Sequence, residues 1–310
     1  MDPVASSRRA RAGGKVILLG EHAVVFGHRA VVIGLERGAR ACVRAADEAE
    51  IVLGAQRHRL SADSDGTSEA PAARAYRALL RHLGAPALAA EAQLEIPPGA
   101  GVGSSAALGV ALGRAIIDWM RESGRPVPGS LAAAALAWEN VFHGNASGVD
   151  TAAAELGGCL SFRRGEGARR LRLAQPIELI VALVEPGAST RRMVERVAEW
   201  RSANPARCDA LLGEIGELVK LAEGALETGD LTALGGSMSQ NHQLLAELGV
   251  STAKLDRVCR DALESGALGA KLTGAGGGGC AVILVTPPRA AHVLAMLERR
   301  SVSSWLERIE

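Results

Sequence analysis

Residues 97–107 read Pro-Pro-Gly-Ala-Gly-Val-Gly-Ser-Ser-Ala-Ala. Glycine stands at every second position from Gly99 to Gly103, and Ser104–Arg121 then reads as a helix with a wide apolar face. Alternating glycines let a backbone turn its N–H groups inward, and the helix behind them offers unpaired donors at the positive end of its dipole. That combination holds anions, phosphate above all. Ser104 and Ser105 could cap the helix, contact phosphate or reach Mg²⁺. An ordinary glycine turn with a capping serine is the plainer alternative, and three alternating glycines beside paired serines weigh against it. The stretch lacks the Gly-Lys-Ser/Thr ending of a Walker A loop and the G-x-G-x-x-G of a dinucleotide turn. A Rossmann oxidoreductase thereby loses its main support.

Outward from this loop the texture is mixed. Lys15–Leu19, Ala30–Leu35, Ala39–Arg44, Ile51–Leu60 and Ala92–Ile96 read as strands. Glu69–Leu83 is a helix with Tyr76, Leu79, Leu80 and Leu83 on one face. Asp63–Ala70, short and polar, is expected to be a flexible loop. Beyond the loop come a helix from about Gly129 to His143 and strands at Cys159–Phe162, Leu171–Leu173 and Ile177–Val184. After Pro186 the helices Arg191–Trp200, Pro205–Glu227, Asp230–Leu248 and Thr252–Gly266 follow one another. Strands at Ala270–Thr273 and Ala281–Val285 and a Pro288–Arg299 helix complete the pattern. The reading is α+β in two lobes, 1–186 and 187–310.

Composition narrows the function. The 310 residues carry 35 basic and 34 acidic side chains, which argues against binding nucleic acid or anionic lipid through overall charge. A hydrophobic fraction of 48% excludes a disordered chain. No apolar run approaches the roughly 18 residues of a membrane span. Arg-rich Met1–Gly14 has no long apolar core behind it, so no export signal and a cytoplasmic location are expected. Five cysteines without a C-x-x-C pair read as reduced, mostly buried thiols, Cys280 included. Only four of the basic residues are lysines, Lys15, Lys220, Lys254 and Lys271, and each therefore merits inspection.

Further segments carry chemistry. Glu139-Asn140-Val141-Phe142-His143-Gly144-Asn145-Ala146-Ser147-Gly148-Val149-Asp150 places two carboxylates on either side of a polar turn. A phosphotransferase needs a metal ligand and a separate carboxylate for the attacking hydroxyl, and Glu139 and Asp150 could fill those places. The bland alternative makes Asp150 the cap of a Thr151–Leu156 helix and Glu139 a surface residue. Lys271-Leu272-Thr273-Gly274-Ala275-Gly276-Gly277-Gly278-Gly279-Cys280 is a strand running into glycines. So permissive a backbone implies close approach to a ligand or to the other glycine loop. Lys15-Val16-Ile17-Leu18-Leu19-Gly20-Glu21-His22 ends a strand with a charged pair in a glycine-flanked turn. His22 alone would be read as structural.

Together these segments resemble the galactokinase, homoserine kinase, mevalonate kinase and phosphomevalonate kinase superfamily. The stretches 14–28, 97–107, 139–150 and 269–280 carry the likeness in family order, joined by Asn241-His242 and the Leu248–Asp256 region. Glu21-His22 followed by Ala23-Val24-Val25 is most similar to the mevalonate kinase branch. The resemblance implies a two-lobed small-molecule kinase fold, with a ribosomal S5 domain 2-like N-terminal lobe and a ferredoxin-like C-terminal lobe. It further implies ATP-dependent phosphorylation of the 5-hydroxyl of mevalonate, with Mg²⁺, in isoprenoid biosynthesis.

Carried over by position, the resemblance makes Asp150 the base at the C5 hydroxyl. Lys15 lies beside it and offsets charge on the transferring phosphoryl group. Ser105 and Glu139 hold Mg²⁺, while Pro98, Gly99, Ala100, Gly101, Val102, Gly103, Ser104 and Ser105 wrap the phosphates. Glu21, His22 and Thr190 bind substrate, with His22 nearest the mevalonate carboxylate, and Gly274, Ala275, Gly276 and Gly277 form a second glycine loop. Val102 stands where the family usually has Leu, and no Asn precedes residue 140 to meet adenine. Phosphomevalonate kinase is the enzyme alternative and would need further cations for a substrate phosphate. A catalytically inactive ligand sensor would be expected to have lost Lys15, Glu139 or Asp150. Apolar surface on a lobe of this size could support a homodimer.

Overall fold

Runs of aliphatic residues set the strands, and glycines mark where one strand crosses closely behind another. The computed structural model describes residues 7–60, 70–144 and 146–310. The first elements are β1 (Arg8–Leu19), β2 (Ala30–Ala45), β3 (Glu50–Leu53), β4 (Gln56–Arg59), α1 (Pro71–Leu83) and β5 (Leu88–Leu94). Next are α2 (Ser104–Glu122), α3 (Leu131–His143), α4 (Val149–Leu156), β6 (Gly158–Arg163), β7 (Gly167–Arg170) and β8 (Ile177–Glu185). Helices α5 (Thr190–Ala203), α6 (Pro205–Thr228), α7 (Leu231–Glu247) and α8 (Ala253–Glu264) precede β9 (Gly269–Thr273) and β10 (Gly279–Val285). The last two are α9 (Pro287–Arg299) and β11 (Ser303–Ile309). None of the described helices is long and apolar enough to cross a membrane.

The chain forms two compact units interleaved along the sequence. The first takes the described residues up to Gly14, Glu36–Pro97 and Gly103–Leu156; the second takes Lys15–Leu35, Pro98–Val102 and Gly157–Glu310. The boundary at 186/187 expected from sequence falls inside the second unit.

In the first unit, β3 pairs with β4 antiparallel and with β5 in parallel, and β5 pairs antiparallel with residues 39–45 of β2. Helices α1, α2 and α3 cover a core that includes Tyr76, Leu79, Leu83, Leu88, Leu112, Ile116 and Trp138. The Tyr76 hydroxyl, buried with its ring, donates to Leu88 O at 3.2 Å, which meets the need of a buried phenol for a partner. Gly109 lets α2 and α3 close together, since a Cβ there would lie 2.7 Å from the Trp138 ring.

In the second unit, residues 30–34 of β2 pair with β6, which pairs with β7. A separate antiparallel sheet has the order β11-β8-β10-β9. Every residue of β10 is buried, which explains its uninterrupted apolar sequence. Helix α7 lies on β9, α8 on β9 and β10, and α9 on β8 and β11.

Several expectations are corrected. β1 begins at Arg8, because Arg and Ala alternate between solvent and the sheet before the apolar run. The strands expected at Ala30–Leu35 and Ala39–Arg44 are one, β2, continuous through Gly38, where a Cβ would sit 2.0 Å from Ala12 O. Ile51–Leu60 is a hairpin turning at Gly54, whose φ of +59° suits glycine. Leu171–Leu173 is not a strand; β7 ends at Arg170 and only the Leu171 N–H continues the pairing, to Cys159 O at 2.9 Å. β11 was not foreseen, its buried Trp305, Glu307 and Ile309 being interleaved with polar residues. Of the loop expected at Asp63–Ala70, residues 63–69 lie outside the described residues.

Candidate active site

In the second unit the two glycine segments meet. Gly99 and Gly101 have φ of +72° and +80°, in the left-handed region that other residues avoid. A Cβ on Gly274 would stand 3.1 Å from Gly101 O, and one on Gly279 3.0 Å from Ala100 O. Gly187 comes equally close to the same loop, its absent Cβ lying 2.8 Å from Gly99 O. Packing of loop against loop, expected from the glycine content, is therefore observed. Lys15 secures the far side: its N–H donates to Val102 O at 2.9 Å and its Nζ to Gly101 O at 3.0 Å. Lys15 is 3% exposed, so its ammonium is held against backbone oxygen rather than in bulk water.

The turn after β1 is strained and clamped. His22 has φ 60° and ψ −49°, a conformation that costs about 1–3 kcal/mol and persists only when its surroundings enforce it. Its Nε2 lies 2.8 Å from Ala275 O, which requires Nε2 to carry the proton as donor. Burial pushes the His22 pKa down, opposed by that hydrogen bond. Glu21 is ion-paired with Lys271, both inside the protein. Lys271 Nζ also donates to Leu272 O at 2.6 Å. Burial pushes the Glu21 carboxyl up and the Lys271 ammonium down, and their mutual attraction opposes both shifts. Asn241 Oδ1, from α7, accepts the Gly20 N–H at 3.2 Å.

The first unit holds the remaining groups. The chain leaves the loop through Gly103, φ +73°, and α2 starts at Ser104 with no side chain capping it. The first-turn N–H groups of such a helix have no partner within it and suit an anion. Ser105 Oγ donates instead to Glu139 Oε1 at 2.5 Å. Trp138 fixes this pair: its Nε1 donates to Ser105 O at 3.0 Å, and its ring fills the space at Gly109. Glu139 is 3% exposed, so it is not the surface residue that its helix position alone would allow. Asp150 lies inside the first turn of α4, which begins one residue earlier, so it does not cap that helix. The turn before it is held by Asn140 Oδ1, which accepts from Ala146 N–H at 3.0 Å.

Thr190 is the first residue of α5, exposed, behind Ser189, which caps the helix by accepting from Arg192 N–H at 3.3 Å. The Ala188 N–H donates to Gly277 O at 3.1 Å, which ties this segment to the second glycine loop. Cys280 is fully buried with its thiol pushed up to about 12 by burial, consistent with an inert packing role. Lys220 and Lys254 are exposed, paired with Glu217 at 2.7 Å and Glu185 at 3.6 Å. Sequence reasoning missed the Glu21–Lys271 pair and the Asn241 contact, although the rarity of lysine had marked Lys271. Among the described residues no group of three or more His, Cys, Asp or Glu gathers as a metal site.

Comparison with known proteins gives the family of the chain. The family model of the GHMP kinase N-terminal domain matches residues 71–158, and that of the GHMP kinase C-terminal region matches residues 222–303. The chain is 35% identical to a mevalonate kinase of Aeropyrum pernix, over 88% of this chain and 87% of that one. The chain belongs to the mevalonate kinase family. A second relative in the family, from Methanothermobacter thermautotrophicus, is 33% identical over 94% of each chain. Among solved structures, L. major mevalonate kinase in complex with R-mevalonate superposes with a TM-score of 0.85 at 27% identity, covering 100% of this chain and 98% of that one. The Methanococcus jannaschii mevalonate kinase gives a TM-score of 0.80 at 25% identity, with each chain fully covered. The α+β fold with two sheets is the fold of this family.

Proposed function

We propose that this chain transfers the γ-phosphoryl group of ATP to the C5 hydroxyl of mevalonate, giving 5-phosphomevalonate and ADP. The observation that carries the reading is the match, along the whole chain, to a mevalonate kinase holding R-mevalonate. The chemistry of the residues supports it. A glycine loop whose N–H groups lead into an uncapped helix start suits the ATP phosphates. Pro98–Ser105 is the segment assigned to them, with Gly274–Gly277 as its backing.

Ser105 and Glu139 are assigned to Mg²⁺. Two oxygen donors fit an ion that usually takes one or two protein ligands and completes its shell with phosphate and water. When bound, Mg²⁺ neutralises charge on the β- and γ-phosphates. Asp150 is assigned as the base that accepts the C5 hydroxyl proton as the new O–P bond forms and the bond to the ADP oxygen breaks. Lys15 is the cation that offsets charge on the transferring group, and its bond to Gly101 O sets where the ammonium points. His22 and Thr190 are assigned to mevalonate. Glu21, assigned to substrate with them, is held in place by its pair with Lys271.

An ADP-release assay with mevalonate, phosphomevalonate, galactose and homoserine tests the reading. Mevalonate should be turned over far faster than the others. Good turnover of another substrate with none of mevalonate would refute it.

A further inference from the structure

We propose that Asn241 and Lys271 are positioning residues that hold the Gly20–Glu21–His22 turn and thereby set the affinity for the carboxylated substrate. This rests on the assignment of His22 to mevalonate. The geometry begins with strain. His22 occupies a positive φ outside the ordinary left-handed well, so its neighbours must keep it there. They come from three places in the second unit. Asn241 on α7 takes the Gly20 N–H, Lys271 on β9 takes the Glu21 carboxylate, and Ala275 O takes the His22 ring. Gly20 itself admits no side chain, because a Cβ would lie 2.7 Å from Arg29 O. The turn is therefore fixed before, at and after Glu21.

The clamp is a poor stabiliser, which points to a positional role. Glu21 Oε2 and Asn241 Nδ2 are both buried without a hydrogen-bond partner. A buried ion pair is commonly no better for stability than apolar replacements of similar volume. His242, next to Asn241, continues the device: its Nδ1 accepts the Leu272 N–H at 3.2 Å, and its Nε2 lies 3.1 Å from Asp256 Oδ1. Consecutive residues of α7 thus fix the backbone after β1 and the backbone beside Lys271.

The test uses the full chain with Asn241→Leu, which takes away the acceptor of the Gly20 N–H, and a Glu21→Gln/Lys271→Met pair, which removes both charges. Tm, kcat and separate KM values for mevalonate and ATP are measured, with amide exchange of a peptide spanning residues 17–24. Each variant should keep its Tm within a few degrees, raise the mevalonate KM at least tenfold, leave the ATP KM within twofold and exchange faster in that peptide. Unchanged mevalonate KM in folded variants, or both KM values rising together with a lowered Tm, would overturn the proposal. If Asn241→Leu does not fold, Asn241→Ser is read in the same way. Should the wild type turn over no mevalonate, the substrate assignment fails by itself, and unchanged exchange in the variants would then separately overturn the clamp.

Discussion

Ser105 Oγ donates to Glu139 Oε1 at 2.5 Å across 34 residues of sequence, joining the start of α2 to the end of α3. The contact gives the Glu139 carboxylate a hydrogen-bonded partner at 3% exposure. It also brings a hydroxyl and a carboxylate together at the first turn of α2.

If this pair holds Mg²⁺, Glu139→Gln should lower kcat by about 10²-fold, on the scale of a lost preorganised charge. The Mg²⁺ concentration for half-maximal rate should rise at fixed ATP. Ser105→Ala should have a smaller effect in the same direction. ADP release titrated with Mg²⁺ checks both, and an unchanged Mg²⁺ dependence in Glu139→Gln would remove the residue from the metal.

Lys15→Arg keeps the net charge but should reduce kcat by at least about tenfold. A planar guanidinium cannot occupy the place of a compact ammonium that is 3% exposed and bonded to Gly101 O. Steady-state kinetics should show the loss mainly in kcat, and an arginine variant with wild-type turnover would contradict the role.

Gly101→Ala should weaken ATP. The residue has φ +80°, and a new Cβ would lie 3.3 Å from Thr273 O. The left-handed conformation alone costs a non-glycine residue about 1–2 kcal/mol. An ATP KM raised about tenfold, with mevalonate KM little changed, is the expected result.

Mevalonate affinity should fall as pH rises. In the free protein burial lowers the His22 pKa, and Nε2–H is committed to Ala275 O, so the neutral ring offers only a lone pair at Nδ1. Meeting a carboxylate requires a proton at Nδ1, and the bound anion favours that charged form. Binding therefore takes up a proton, and mevalonate KM should rise up to about tenfold per pH unit above the free-state pKa. A pH series of KM in wild type and His22→Gln checks this: the slope should vanish in the variant.

The legible parts of the sequence were those where local chemistry is strict. Alternating glycines at 99, 101 and 103, with the Ser pair after them, announced a tightly turned loop before a helix, and the structure gives each glycine a positive φ. The dense glycines after Thr273 announced a close approach, found between backbone oxygens and absent Cβ atoms. What could not be read was long-range polar pairing. Glu21 and Lys271 are 250 residues apart, and no local pattern marks either as the other's partner. β11 was equally hidden, because its inward positions include Glu307, whose carboxylate is satisfied by Trp305 Nε1 at 2.8 Å. The interleaved units were hidden for the same reason: β1 and β2 each run through both.

The most direct measurement is single-turnover phosphoryl transfer from ATP to mevalonate by the Asp150→Asn variant beside wild type. Loss of the base should slow the chemical step by several orders of magnitude while an ATP analogue still binds within about threefold of wild type. Near-normal transfer by Asp150→Asn would contradict the account.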